Sequence, residues 1–225
     1  MFMTKQLFLQ AIGKCALGVV LVGLLVFLPA GTWHYWQGQL FMVILFLPMF
    51  LAGLVMMAKN PGLLASRLKG KEQHRTQDRL VKASGLMFLA GFVTAGLNYR
   101  LGWYLLPGWV SLAAAAVFLG AYLLYAEVLR ENTFLSRTIQ VQEGQTVVDT
   151  GLYAIVRHPM YAATLILFLS MPLVLGSLPA FGIFLVYPLL IAGRIRHEER
   201  FLEEELAGYR AYKEKVPYRL IPFVW

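Results

Sequence analysis

The chain has 225 residues and a net charge of +8, with 59% hydrophobic residues against 14% charged ones. That charged share is far below the roughly 25% of soluble domains, and one soluble core cannot hide so much apolar surface, so a water-soluble globular protein is excluded. The single cysteine, Cys15, excludes an intrachain disulfide and a zinc cluster, and in so apolar a chain the basic excess reads as membrane topology, with no nucleic-acid partner expected.

The first apolar block predicts a membrane span over about residues 12–31, since a helix needs about 20 apolar residues to cross a bilayer. A signal peptide with Ala30 and Gly31 at its cleavage site is the competing reading. The stretch from Ala16 to Gly31 is long for a signal core, and Lys14 to its left fits an uncleaved anchor with its start inside. The loop Thr32 to Gln39 carries Trp33, Tyr35 and Trp36, an interfacial belt on the outer side. A second span follows over about residues 40–58.

Lys59 to Lys82 then holds seven cations, Lys59, Arg67, Lys69, Lys71, Arg75, Arg79 and Lys82, against Glu72 and Asp78, which places this loop inside. With Gly62 and Gly70 it is also the expected mobile connection. Span three runs over about residues 83–98, an outer loop holds Arg100 and Pro107, and span four covers about residues 109–126.

Glu127 to Pro159 is too polar for hydrocarbon, and the uncharged run from Met160 to Gly193 after it is 34 residues long. As one helix it would reach about 51 Å, well beyond the ~30 Å hydrocarbon core. Pro172, Gly176, Ser177 and Pro179 cluster at its middle, so a helical hairpin is predicted, with both ends on one side. Its arms are short for full spans, which leaves tilting, local thinning or turning back before the far face as three open routes. From Arg194 an amphipathic tail helix follows, with Phe201, Leu202, Leu206, Tyr209 and Tyr212 at helical spacing; it stops near Pro217 and is expected against the cytoplasmic mouth of the hairpin.

The expected fold is therefore all-α and polytopic, with residues 1–131 forming four spans and residues 132–225 a catalytic region. Nineteen Lys and Arg fall inside against Arg100 alone outside, which turns the catalytic region toward the cytoplasm. This basic surface would also attract anionic membrane lipids, at about 1 kcal/mol per nearby cation.

The base of an antiparallel hairpin must bring its two flanks together, here Tyr153, Arg157, His158 and Tyr161 with Arg194, Glu198 and Glu199. Such a cluster offers a cation for a carboxylate, carboxylates for an ammonium or ribose, and aromatic rings for a flat group or a sulfonium. The bland alternative makes Arg157 and Arg194 topology anchors, Tyr161 an interface anchor, and Glu198 an i,i+4 partner of Arg194. His34 and His74 read as loop histidines, His197 as a solvated helix residue, and Glu203 to Glu205 as a solvated face.

Thr150-Gly-Leu-Tyr-Ala-Ile-Val-Arg-His-Pro-Met-Tyr161, followed across the hairpin by Arg194-Ile-Arg-His-Glu-Glu199, resembles the isoprenylcysteine carboxyl methyltransferase family. Tyr209-Arg-Ala-Tyr-Lys-Glu-Lys-Val-Pro217 resembles that family's ending, so the likeness covers about residues 132–225. It implies a membrane methyltransferase that binds S-adenosyl-L-methionine without a Rossmann fold, consistent with the absence of a G-x-G-x-x-G after a strand. Carried over residue by residue, the family's cofactor contacts fall on Gln142, Gln145, Thr146, Val147, Val148, Tyr153, His158, Pro159, Met160, Tyr161 and Glu198. Its substrate-orienting arginine falls on Arg194. Gln145 stands where a histidine is frequent, and Ala163 where a glycine is usual.

In that picture His158 and Tyr161 hold the methionine end, Glu198 the ammonium or ribose, and Arg194 an acceptor anion. The acceptor is lipophilic and enters from the bilayer, with the carboxylate of a prenylated cysteine as first choice; a lipid amine or a small thiol is the alternative. A second enzyme class, a membrane NADPH-dependent sterol or enone reductase, has a similar C-terminal region. A non-catalytic scaffold or small transporter is disfavoured because neither internal repeats nor mid-membrane charges are visible.

Overall fold

The computed structural model describes residues 2–68, 75–135 and 141–225 and, among them, only helices and connecting segments. The helices are α1 (Phe2–Ala30), α2 (Trp36–Lys59), α3 (Pro61–Leu68), α4 (Arg75–Leu101), α5 (Gly108–Glu131), α6 (Pro159–Val174), α7 (Leu178–Phe184), α8 (Tyr187–Glu205) and α9 (Tyr209–Lys215), with a 3-10 turn at Gly151–Ala154 before α6. Five segments are long and apolar enough to cross a bilayer: Gln6–Ala30, Trp36–Lys59, Arg79–Leu101, Gly108–Glu131 and Leu178–Glu205. The chain is an integral, multi-pass, all-α membrane protein.

Lipid replaces water around these helices. On α1 the stripe Leu17, Leu21, Leu24 and Leu28 is exposed while Val26, Phe27 and Ala30 are buried, an arrangement that only hydrocarbon solvates without penalty. The interior is aromatic: Phe41 contacts Phe92 and Phe118, and Phe88 contacts Phe168 and Phe184, which ties α2, α4, α5, α6 and α7 together.

Small residues set the helix spacing, because apolar burial gives no drive between helices in lipid and close van der Waals packing must supply it. At Gly96 an added Cβ would lie 2.4 Å from the Val26 carbonyl oxygen and 3.0 Å from the Ala30 nitrogen, so α4 and α1 touch there through backbone. Gly96→Ala is expected to cost about 1–3 kcal/mol by overpacking, read as a lower unfolding temperature in detergent. Gly85→Ala on the same helix meets open space and leaves that temperature unchanged or higher.

The hairpin is built by local chemistry. α6 ends in a Schellman motif: Ser177 N–H donates to Pro172 O (2.9 Å) and Gly176 N–H to Leu173 O (3.0 Å), with Gly176 at φ +65° as the left-handed residue. Ser177 then caps α7, its Oγ accepting from Ala180 N–H at 3.3 Å, and Pro179 lies in the first turn.

The apex reaches the far side. Leu106 N–H donates to Gly176 O (2.9 Å), Leu178 N–H to Tyr104 O (3.4 Å), and the Tyr35 hydroxyl donates to Leu175 O. The apex therefore sits among the loops 31–35 and 102–107, at the same end as Arg100. Of the three routes open from sequence, turning back short is excluded, although α6, with 16 residues, is only about 24 Å long.

Two differences from the sequence reading concern continuity. The second arm does not end at Gly193: after a break at Leu185 and Val186, ahead of Pro188, α8 runs unbroken from Tyr187 to Glu205, because one glycine in a run of good helix formers does not stop a helix. Arg194 thus lies mid-helix rather than at a tail start. The inner loop after α2 is largely helical, with α3 and the first turns of α4; the expected mobile stretch, including Gly70, His74 and the cations Lys69 and Lys71, lies outside the described residues.

Candidate functional site

At the end opposite the apex, the chain is stitched to itself around the start of α6. Glu131, the last residue of α5, accepts the Leu152 N–H at 2.8 Å and occupies the space beside Gly151, where a Cβ would stand 1.6 Å from its Oε1. Gly151 at φ +53° is required on both counts. This fixes the 3-10 turn and delivers Arg157, His158 and Pro159 to the head of α6, where Arg157 N–H donates to Tyr218 O and His158 N–H to Arg219 O, both at 2.9 Å.

Glu198 and Glu199 are neighbours on α8 and therefore point about 100° apart. Glu199 turns inward. Its Oε1 accepts from Arg157 Nε at 2.7 Å and lies 3.3 Å from His158 Nε2, while Oε2 accepts from Arg219 Nε at 2.9 Å. Arg157 also donates to the Val216 carbonyl at 2.6 Å. Arg157, His158 and Glu199 are 5%, 6% and 3% exposed, so one carboxylate clamps the hairpin base, α8 and the C-terminal segment away from solvent.

Glu198 turns toward a cleft. The Tyr161 hydroxyl donates to the Glu198 carboxylate and accepts from Arg194 Nε at 2.8 Å, with the guanidinium carbon 5.9 Å from the Tyr161 ring centroid. A phenol thus bridges the cation and the carboxylate expected to share the hairpin base. The cleft is open at its mouth and has a cavity volume of about 100 Å³.

The structure brings Gln145, Thr146, Val147, Val148, Met160, Tyr161, Arg194 and Glu198 to the cleft wall. Gln142, Tyr153, His158 and Pro159 are not on it. Gln142 instead shapes the wall from behind, its N–H donating to Gln145 Oε1 at 2.9 Å and its side chain to the Phe134 carbonyl. His158 and Pro159 are buried, with the His158 ring 5.7 Å from that of Tyr161. The Tyr153 carbonyl accepts the Tyr212 hydroxyl at 2.7 Å.

Sequence reasoning did not assign the rest of the wall: Asn132, Phe134 and Leu135 after α5, Leu202 and Leu206 on and after α8, and Tyr209 and Tyr212 on α9. For Leu202, Leu206, Tyr209 and Tyr212 the signal was present as the apolar stripe of the tail; for Asn132, Phe134 and Leu135 there was none. That stripe lies against the segment after Val141, with Leu206, Tyr209, Tyr212 and Val216 forming a small core with Val141 and Val147. Lys215 pairs with Asp149 at 2.7 Å, and that hydrogen bond holds the Asp149 carboxyl below the usual carboxylate range. Burial, with nearby carboxylates as a lesser cause, raises the Tyr209 hydroxyl above its ordinary value, and burial does the same for Tyr212; both remain neutral phenols.

A second cavity, of about 510 Å³, lies between α1, α2, α3, α5 and α6, lined by apolar side chains such as Ile12, Leu54, Met57, Leu167 and Phe168. The two cavities share α6: Met160 and Tyr161 face the polar cleft, and Thr164, Leu167 and Phe168, one and two turns on, face the apolar one. Thr164 Oγ, at the joint, donates to Tyr161 O at 3.1 Å and accepts from Tyr187 Oη at 3.1 Å.

Residues 111–204 match the sequence profile of the isoprenylcysteine carboxyl methyltransferase (ICMT) family. The match begins inside α5 and ends near the end of α8, so it includes the fourth span and stops before α9. The chain is also 29% identical over 120 residues to the mouse Delta(14)-sterol reductase TM7SF2, an alignment covering 48% of this chain and 29% of that protein. The chain thus spans less than a third of that relative's length.

Proposed function

We propose, from the match of residues 111–204 to the isoprenylcysteine carboxyl methyltransferase family, that this chain is a membrane methyltransferase that moves a methyl group from S-adenosyl-L-methionine to a lipophilic acceptor. The observation that carries the reading is the placement of a polar cleft and a large apolar cavity on successive turns of one helix, α6. A cofactor with charged and nucleoside parts suits the first. A hydrocarbon chain entering sideways from the bilayer suits the second, with its polar end presented near Thr164 and Tyr161.

The cleft fits the cofactor by chemistry. Glu198 supplies a carboxylate for its ammonium or ribose, Tyr161 and Met160 a polarisable wall for its methionine part, and Gln145 to Val148 an edge of polar and apolar groups. When bound, S-adenosyl-L-methionine supplies an electrophilic methyl group on a sulfonium. The chain's task is to align the acceptor in line with that methyl and to keep water out, because most of the gain comes from positioning. Arg194, half-buried on α8, orients an acceptor anion without a strong base being needed. The carboxylate of a prenylated cysteine is our first choice of acceptor, with a lipid amine or small thiol behind it. The excess of Lys and Arg at this end supports a cytoplasmic position for the site.

A nicotinamide-dependent reductase is the second reading, favoured by the 29% identity to the sterol reductase. Calorimetric titration of detergent-purified protein with S-adenosylhomocysteine separates the two. Saturable binding by wild type, weakened at least tenfold in Glu198→Ala and Tyr161→Ala, is the expected result. A folded wild type that ignores this ligand but binds NADPH is a reductase.

A further inference from the structure

Tyr209 is 4% exposed and lines the cleft, and its hydroxyl has no hydrogen-bond partner among the described residues. Leaving a buried hydroxyl unsatisfied costs about 1–3 kcal/mol, so such a group calls for a reason. Its neighbour on α9, Tyr212, has one: that hydroxyl is satisfied by the Tyr153 carbonyl at 2.7 Å. Tyr209 is held in place, since Gly208 at φ +85° starts α9 and the Lys215–Asp149 and Lys213–Glu203 pairs tie the helix down on two sides.

The wall around it is apolar, made of Val147, Leu202, Leu206 and the Tyr212 ring. Such a surface suits a heteroaromatic ring, and a single neutral donor set into it reads one acceptor atom of that ring system or its sugar. We propose that Tyr209 is a ligand-binding residue of the cleft, donating its hydroxyl hydrogen to the nucleoside part of the methyl donor. Helix α9 is then a functional wall of the site. The inference rests on the methyl-donor reading and adds to it a contact that is absent from the cofactor contacts carried over from the resemblance and lies beyond the family match, which ends before Tyr209.

Tyr209→Phe removes only the hydroxyl. The tests are calorimetric titrations of wild type and variant with S-adenosylhomocysteine and with 5′-methylthioadenosine, which lacks the amino-acid end, and thermal unfolding without ligand. The expected result is a Kd raised about tenfold for both ligands, the worth of one hydrogen bond, with an unfolding temperature unchanged or higher because an unsatisfied group is gone. A Kd within twofold of wild type overturns the proposal, and so does a raised Kd accompanied by a lower ligand-free unfolding temperature, which marks a scaffold role. An effect confined to S-adenosylhomocysteine overturns the nucleoside assignment. If wild type binds neither ligand, the methyl-donor reading falls and this inference falls with it.

Discussion

Glu199→Ala will destabilise the protein by about 3–5 kcal/mol, the range for removing one partner of a buried ion pair. The carboxylate is the common acceptor for Arg157, His158 and Arg219, and without it the buried Arg157 guanidinium keeps only the Val216 carbonyl among these contacts. The loss is structural first: the Arg157 to Pro159 segment and the segment at Arg219 are both held to α8 through this residue. Thermal unfolding in detergent should show a drop on the order of 10 °C, given the roughly 2–4 °C per kcal/mol typical of chains this size. Glu199→Gln keeps the shape and one acceptor oxygen but loses the charge and sets an NH2 donor against an arginine donor, so it should fall between the two. An alanine variant as stable as wild type would show that water or rearrangement replaces the clamp.

Arg194→Ala tests the opposite kind of role. Its guanidinium donates to the Tyr161 hydroxyl from a half-buried position at the cleft wall. If it orients the acceptor anion, the rate of methyl transfer falls about 10²- to 10³-fold, as for loss of one preorganised electrostatic donor. Binding of S-adenosylhomocysteine changes by no more than a few-fold, since Glu198 and the wall at Gln145 to Val148 remain. Single-turnover transfer to a farnesylated cysteine analogue, with the donor Kd measured alongside, separates the two quantities. A matching loss in donor affinity would reassign Arg194 to the cofactor.

The membrane spans and the hairpin were legible in the sequence because each has a local cause. Uncharged runs of bilayer length define the spans, and Gly176, Ser177 and Pro179 encode a left-handed stop followed by a cap within four residues. The meeting of Tyr161, Arg194 and Glu198 was legible for a topological reason, since the feet of a hairpin must be neighbours. Continuity of α8 through Arg194 was not, because charge density changes there while helix propensity does not. Spacing alone could not tell Glu198 from Glu199, and only the family resemblance singled out Glu198: identical neighbours differ only in which way they leave the helix, and that depends on the register against Tyr161 and Arg157. The wall made by Asn132 to Leu135 and by α9 joins segments about 75 residues apart in the chain, a distance over which periodicity carries no information.

The apex of the hairpin has a consequence for how the protein is made. Its carbonyls at Leu175 and Gly176 and its amide at Leu178 find partners at Tyr35, Leu106 and Tyr104, all supplied by chain synthesised earlier. A 16-residue arm carrying unmet backbone groups would be a poor span by itself. The last hairpin therefore depends on the four spans made before it, since the polar groups of its apex are satisfied only against the loops that join them.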